Sequence, residues 1–418
     1  MTNSATHINI NRLMDWIEND SARVGGLDRG GICRLALTDE DKTIRDLFIQ
    51  WMEDIHLKVR VDDFGNMYGR LEGTDPEAAP VVIGSHLDTQ PEGGRYDGIL
   101  GVLSGLEVLY TLRENNITPT RSIELICFTN EEGARFAPPI LGAGGLANVF
   151  SKDFVYSRTD KDGKSFIDEL KRIDYQGKEE NRIQHMHSFI ELHIEQGPVL
   201  EQKGLDIGVV TGIQGMNWLE VTVKGEADHA GPTPMNMRKD PMMASAAMMT
   251  EVRSMVVNHD DEATVTVGQF GLQPGSINCV PGEVTFTVDI RHSSDTQRES
   301  LVEQAKKIIK TIADQQHVTC EIHPIWETPS SHFSKHLTDQ LSEAANQLGY
   351  SYQEMISGAG HDAKYINEMA PTAMIFVPSA NGKSHCQEEF TDKSFIEKGA
   401  NVLLNTVQQL TENRESIQ

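Results

Sequence analysis

Apolar positions recur at helical spacing near the start of the chain, at Ile10, Leu13, Met14 and Ile17, and predict a first helix. A second is expected to start at the acidic cap Thr38-Asp39-Glu40-Asp41 and to run through Leu47, Trp51 and Met52. Short apolar runs at 57–61 and 66–71, joined by Asp62-Asp63-Phe64-Gly65, read as strands. Runs at 81–85, 122–129 and 189–194, with a helix over 99–112, continue the alternation. Strand alternating with helix is the pattern of an α/β sheet with a parallel core, and ligands of such sheets collect beyond the carboxyl ends of the strands.

The pattern changes near Gln214. Trp218-Leu-Glu-Val-Thr-Val alternates like a half-exposed strand, and Asp240-Pro-Met-Met-Ala-Ser-Ala-Ala-Met-Met reads as a helix with proline in its first turn. Strands at 264–270 and 284–290, a helix over 298–313 and a strand at 318–325 complete a predicted α+β unit with an antiparallel sheet. Its methionines Met242, Met243, Met248 and Met249 are expected in the core. From about Thr328 the α/β pattern resumes, with strands at 352–356 and 372–377 and a last helix over 395–410. The expected organisation is a catalytic domain of residues 1–212 and 329–418 interrupted by an insert, 213–328. The polar stretch 157–180 reads as a surface excursion.

Chemistry sits at the ends of these runs. His86 and Asp88 close the strand Val-Val-Ile-Gly-Ser-His86-Leu-Asp88, and Asp97 lies in the glycine-bracketed turn Gly93-Gly94-Arg95-Tyr96-Asp97-Gly98. Glu131-Glu132 follows a strand directly, and His193 and His385 stand in Leu-His-Ile-Glu-Gln and Gly-Lys-Ser-His. On extended chain His86 and Asp88 point the same way, so the aspartate is expected to fix the imidazole while the imidazole binds metal. Imidazole and carboxylate without cysteine favour zinc, with manganese, cobalt or nickel as alternatives.

The net charge of −25 makes nucleic acid and acidic membrane surfaces poor partners, so an anionic small-molecule substrate must be drawn by local positive charge. Five cysteines, odd in number and widely spaced, read as reduced thiols of a cytoplasmic protein. The N-terminus lacks the basic and apolar regions of an export signal, and no apolar run is long enough to span a membrane.

Together, Gly-Ser-His86-Leu-Asp88-Thr-Gln-Pro-Glu-Gly-Gly-Arg-Tyr-Asp97-Gly, Thr-Asn-Glu131-Glu132-Gly-Ala-Arg-Phe, His193-Ile-Glu-Gln196-Gly-Pro and Asp228-His229-Ala-Gly-Pro-Thr-Pro-Met resemble the metal-dependent amidohydrolase branch of the M20 aminoacylase and carboxypeptidase family. The resemblance runs from about residue 10 to residue 410. Peptidase branches usually carry a carboxylate where this chain has His193, which points to the ureido-cleaving enzymes.

The resemblance implies an α/β catalytic domain with a mixed, largely parallel sheet flanked by helices, and a ferredoxin-like insert serving as dimerisation and lid domain. It implies two divalent ions per subunit, one on His86 and His193, the other on Glu132 and His385, with Asp97 bridging. Glu131 becomes the general base and Asp88 the partner of His86. His229 would stabilise the oxyanion in the neighbouring subunit of a homodimer. Gln196, Asn278, Arg291 and Gly360 would bind substrate. Arg291 has a second reading as an ion pair with Asp289, and His361 as a packing residue. The implied activity is hydrolysis of N-carbamoyl-L-amino acids. Allantoate and β-ureidopropionate hydrolysis, aminoacylase or dipeptidase activity, and a metal-free binding protein are the alternatives.

Overall fold

The computed structural model of the protein describes residues 6–259 and 261–412. Residues 1–5, which carry part of the reading on export, lie outside the described residues. Two compact units emerge, one of Met1–Thr211 with Phe333–Gln418, the other of Gly212–His332.

In the first unit, helix α1 (Asp39–Asp54) starts where its cap predicts. Thr38 Oγ1 accepts the Asp41 N–H at 3.3 Å, and three acids occupy the first turn, the end at which the helix dipole favours them. Its inner face buries an ion pair beside Ile44, Phe48 and Met52. Arg45 Nε donates to Asp41 Oδ2 at 2.8 Å, Nη1 to the Gly65 carbonyl at 2.8 Å and Nη2 to Thr129 Oγ1 at 3.3 Å. One guanidinium thus ties the helix to a strand turn and to the segment that leads into Glu131.

Strands β1 (Lys58–Val61) and β2 (Met67–Leu71) form an antiparallel hairpin whose turn is fixed by Asp62, which accepts from the Phe64 and Asn66 amides. β3 (Val81–His86), helix α2 (Ile99–Glu114), β4 (Ile123–Phe128) and β5 (Ser188–Ile194) follow. These three strands are buried along their whole length. β6 (Ile207–Ile213), which the sequence pattern did not mark, leads into the second unit.

That unit contains β7 (Gly215–Lys224), β8 (Asp228–His229), α3 (Pro241–Val257), β9 (Thr264–Thr266), β10 (Phe270–Gln273), β11 (Cys279–Val280), β12 (Glu283–His292), α4 (Asp295–Gln315), β13 (Thr319–Thr328) and β14 (Ser331–His332). Five strands form an antiparallel sheet in the order β10-β12-β7-β13, with β9 also on β12. Alternate residues of β7 and β12, among them Leu219, Val221, Val284 and Phe286, pack with Val252, Leu301 and Ile309 of the two helices. The strand expected over 264–270 is broken in two: β9 and β10 both pair with β12, but in registers one residue apart, and between them the Thr287 hydroxyl takes the Gln269 N–H. Met248 is buried and Met242 and Met249 flank the core, but Met243 is exposed. It lies on the outward face of α3, so its assignment to the core is corrected.

The chain returns through α5 (Lys335–Gln347), β15 (Tyr352–Ser357), β16 (Thr372–Val377) and α6 (Lys393–Glu412). The sheet of the first unit runs β1-β2-β4-β3-β5-β16-β6, with β15 on β6. Its middle strands β4, β3, β5 and β16 are mutually parallel, and β2 and β6 flank them antiparallel. This is a mixed α/β architecture with a largely parallel centre. The stretch 157–180 is more than a surface excursion: it contains the helix Phe166–Arg172, whose Phe166 and Leu170 are buried at helical spacing, with Ile173 and Tyr175 beyond. All five cysteines are free, and among the described residues no helix is long and apolar enough to cross a membrane.

Arg45→Ala should strand the Asp41 carboxylate in the interior and destabilise the chain by about 3–5 kcal/mol, the cost of breaking a buried pair by removing one partner. Chemical denaturation measures it. A loss below about 1 kcal/mol, the scale of an exposed pair, would show that the interior around Asp41 admits water.

Candidate metal centre

The predicted ligands gather at the carboxyl ends of the parallel strands. His86 closes β3, Glu131 and Glu132 come just past β4, His193 lies near the end of β5, and His385 follows β16. Asp97 enters from the glycine-rich loop before α2. The donor atoms of His86, Asp97 and His193 lie within 4.8 Å of one another, and so do those of Asp97, Glu132 and His385. Asp97 Oδ1 is 3.6 Å from His86 Nε2 and 3.2 Å from His193 Nε2, while Oδ2 is 3.4 Å from His385 Nε2. His385 Nε2 is also 3.4 Å from Glu132 Oε2. One carboxylate therefore offers an oxygen to each group.

Ring orientation follows from the backbone. His86 Nδ1 meets the Asp88 carbonyl and His193 Nδ1 the Ile194 carbonyl, each at 2.9 Å, which fixes the proton on Nδ1 and turns Nε2 inward. His86 Nε2 is buried and has no hydrogen-bond partner among the described residues. An unpartnered imidazole nitrogen facing carboxylates is a donor set that fits a divalent cation, and the absence of thiolate suits zinc or its first-row neighbours.

Charge in the site is crowded. Burial works against a charged His86, yet Glu131 and Asp97 hold its proton affinity well above the ordinary imidazole value. Burial also opposes ionisation of Asp97, but His193, His385 and His86 keep it well below the usual carboxylate range. Glu132 is pushed up to about 7 by burial and by the charge of Asp97, and hydrogen bonding to Asp97 lifts His385 to about 9. Glu131 is driven well above the carboxylate range by burial, with Asp362 and Glu132 adding to the effect and His86 opposing it. The negative field that holds protons on these imidazoles would hold a cation in their place.

Backbone conformation has been spent on this geometry. Gly98 has φ +68°, and a Cβ there would stand 2.3 Å from the His86 ring. Asn130, Gln196 and His385 also adopt positive φ, at 58°, 56° and 56°, the kind of sparsely populated conformation that collects at functional sites.

The Asp88 expectation needs correcting in its atoms. β3 stops at His86, so the two-residue alternation ends there. The Asp88 carboxylate turns to accept the Glu131 and Glu132 amides, both at 3.2 Å, and its Oδ1 stays 4.0 Å from His86 Nδ1. Its backbone carbonyl orients the ring, and its side chain positions the two glutamates.

Several contacting residues carried no signal in the sequence. Gln90 Nε2 donates to Glu132 Oε2 at 2.7 Å, and Ser384 Oγ donates to Asp97 Oδ2 at 2.7 Å. Glu389 accepts the Tyr96 and Asp97 amides at 2.9 and 3.1 Å. Gln196, which had been singled out, donates to Asp97 Oδ2 at 2.7 Å. His361 packs edge-on against His193, ring centroids 4.5 Å apart, and burial and the His193 charge keep it neutral. Glu191, His193 and His361 form another close group, but Glu191 already accepts from Ser85 Oγ and the Ala363 amide, and His361 Nε2 is joined to Ser357 Oγ. Gly360 precedes His361 in a partly exposed loop.

The remaining candidates belong to the second unit. His229 lies on β8, in the short ribbon it forms with β11, and Asn278 stands in the turn just before β11, both exposed. The Asn278 carbonyl accepts the Ala230 amide at 3.0 Å. Arg291, on β12, is half-buried and engages Asp289 through Nε and Nη2 at 3.0 and 2.8 Å. The ion-pair reading of Arg291 is thus present in the fold.

The model of Peptidase family M20/M25/M40 matches residues 82–409. An N-carbamoyl-L-amino-acid amidohydrolase of Rhizobium meliloti is 42% identical over 97% of this chain and 97% of its own. An allantoate amidohydrolase of Bacillus subtilis is 35% identical over 96% and 97%. Among solved structures, an amidase of the hydantoinase/carbamoylase family from Burkholderia multivorans superposes with a TM-score of 0.92 at 40% identity, covering 98% of this chain and 99% of that one.

Gly98→Ala should push the His86 imidazole out of line and weaken divalent-metal binding on the order of 10–100-fold, the range for disturbing a group that orients a ligand. Titration of the metal-free protein with zinc reads this directly. Unchanged affinity would mean that the His86 ring is not held in a ligating position.

Proposed function

This chain belongs to the M20/M25/M40 peptidase family, and from that premise we propose that it hydrolyses the ureido C–N bond of N-carbamoyl-L-amino acids with two divalent ions per subunit. The observation that carries the reading is Asp97, whose two oxygens face separate histidine groups as a bridging carboxylate's would. His86 and His193 would hold one ion, Glu132 and His385 the other. Zinc suits the donors best, and manganese, cobalt or nickel fits the same set. When bound, the ions supply Lewis acidity, which acidifies water and polarises the scissile carbonyl.

Glu131 takes the proton of the attacking water and passes it to the leaving nitrogen. Its Oε2 lies 3.5 Å from His86 Nε2, which puts the carboxylate beside the proposed ligand atoms where the attacking water would be held. Water oxygen bonds to the carbamoyl carbon, the C–N bond to the terminal nitrogen breaks, and ammonia leaves. The remaining carbamate loses carbon dioxide to give the amino acid. Gln196 supports a ureido substrate in particular: its Nε2 is committed to Asp97, and its Oε1 is buried without a partner. A carbamoyl group brings the NH₂ that such an acceptor needs, and an acyl group does not.

Arg291 is assigned to the substrate carboxylate, which would exchange with or share the fork now turned to Asp289. Asn278 and Gly360 are likewise assigned to the substrate. His229 is assigned as oxyanion donor to the site of the other subunit, the second unit acting as dimerisation domain. Exposed apolar side chains near His229 and Asn278 in the sequence, Met235, Met237 and Ile277, support this. The free cysteines accord with a cytoplasmic setting. Allantoate, a ureido-bearing carboxylate, is the second reading because relatives with that activity in their names align over nearly the whole chain.

Chelation should abolish ammonia release from N-carbamoyl-methionine, and added divalent ion should restore it. Release should exceed that from N-carbamoyl-β-alanine and allantoate, and a preference for allantoate would transfer the assignment to the second reading. Glu131→Gln should keep the ions and lose about 10²–10⁴-fold in turnover, the scale of general acid–base catalysis. Near-normal kcat would remove Glu131 as the base.

His229→Ala should lower turnover by about 3–4 kcal/mol of transition-state stabilisation, the worth of one oxyanion donor. Mixed under subunit exchange, inactive His229→Ala and Glu131→Gln chains should regain activity, since one site of each mixed dimer receives both intact groups. If tagged subunits are shown to exchange and no activity returns, His229 acts within its own chain or has no part in the reaction.

A further inference from the structure

We propose that Glu389 is a positioning residue that sets the separation between Asp97 and His385, and so builds the half of the metal centre that His385 completes. The proposal rests on the reading of Asp97 and His385 as ligands. Its physical basis is a ring of close polar contacts between chain segments remote in sequence. Glu389 is 5% exposed and reaches across from the His385 loop to the glycine-rich loop. There its Oε1 accepts two successive amides, Tyr96 N at 2.9 Å and Asp97 N at 3.1 Å. Its other oxygen, Oε2, lies 2.9 Å from Ser384 Oγ, whose single proton serves either this oxygen or Asp97 Oδ2 at 2.7 Å, so the hydroxyl sits between the two carboxylates. The ring therefore holds Asp97 twice, by its own amide and by its carboxylate, and holds the residue next to His385 once.

The opposite loop is shaped around this carboxylate. A Cβ on Gly94 would stand 2.0 Å from Glu389 Oε1 and 2.5 Å from its Cβ, so glycine is required there by the side chain that fills the space. Gly31 is similarly closed by Gln387, with 2.5 Å to its Cγ. The His385 loop is thus seated through Gln387 and Glu389 while His385 itself stays half exposed, with no ring-nitrogen contact to a backbone carbonyl of the kind that fixes His86 and His193. Its place relative to Asp97 depends on the loop, and the loop on Glu389.

Two variants, Glu389→Ala and Glu389→Gln, test this with two readouts. Hydrogen exchange of the metal-free protein over residues 94–98 should speed up strongly in Glu389→Ala and less in Glu389→Gln, which keeps a carbonyl oxygen for the two amides. Titration with cobalt(II), followed by visible absorption, should show two equivalents in the wild type. In Glu389→Ala the weaker equivalent should lose about 10–100-fold in affinity, with partial rescue in Glu389→Gln and a smaller change in the tighter one. Ser384→Ala, which opens the ring without removing the buried carboxylate, should weaken the same equivalent.

Unchanged exchange at 94–98 in Glu389→Ala would overturn the brace whatever the metal does. So would equal weakening of both equivalents together with a general fall in thermal stability, because that is the signature of a packing residue. A wild type that binds fewer than two ions would sink the two-metal reading instead, and the exchange result would still decide whether Glu389 joins the two loops.

Discussion

Asp97 is the constraint around which the first unit is arranged. A carboxylate ionised while buried is costly unless several charges or donors meet it, and here three imidazoles, an amide side chain and a hydroxyl converge on its two oxygens. The convergence is possible because four parallel strands end side by side and deliver residues from five separate stretches of chain to one rim. Gly98 then allows the loop to pass against the His86 ring, and the Gly98 amide donates to His193 Nε2 at 3.1 Å. Packing, loop chirality and electrostatics at this rim all answer to a single anionic side chain.

How much of this is visible in the sequence depends on distance along the chain. His86, Glu131, Glu132 and His193 are legible because each directly follows or ends an apolar run, and strand ends are where α/β sheets place chemistry. The elements themselves are legible wherever periodicity is clear, as in 372–377, which matches β16, and in the capped helix α1. Glu389, Ser384 and Gln90 are not, because the groups they meet lie far away in the chain and nothing local distinguishes them from solvated polar residues. Asp88 was legible as a residue and misread as an atom: the end of β3, which decides where its carboxylate points, is a property of the fold. The stretch 157–180 was misjudged because its many charges hide a two-position apolar stripe, Phe166 and Leu170, and its arginine-facing acids are buried by partners elsewhere. Arg135 pairs with both Asp160 and Glu169.

The second unit presents a different physical situation. Its core is an ordinary sheet and helix sandwich, complete in itself, so the exposed groups on its ribbon are surplus to its folding. His229 on the ribbon and Asn278 just before it are exposed, as are the apolar side chains of Met235, Met237 and Ile277, and on the proposed reading these would be covered by a second subunit. Arg291 on the same unit is engaged by Asp289 through Nε and Nη2, and on the proposed reading a substrate carboxylate would take the same fork. Such a fork discriminates by shape as well as by charge.

The charge balance of the chain gives these features a common logic. A protein with a net charge of −25 repels an anionic substrate at long range, and at the rim four acids, Asp88, Asp97, Glu131 and Glu132, stand against three imidazoles, His86, His193 and His385. On the proposed reading, two divalent ions held by two carboxylate ligands reverse the local sign, and the site becomes attractive to a carboxylate only once it is loaded. Coulomb interaction falls with screening over roughly 8 Å at physiological ionic strength, so the reversal is felt only by a molecule already at the rim. Selection of the substrate then belongs to short-range contacts, the Gln196 acceptor and the Arg291 fork, and not to steering.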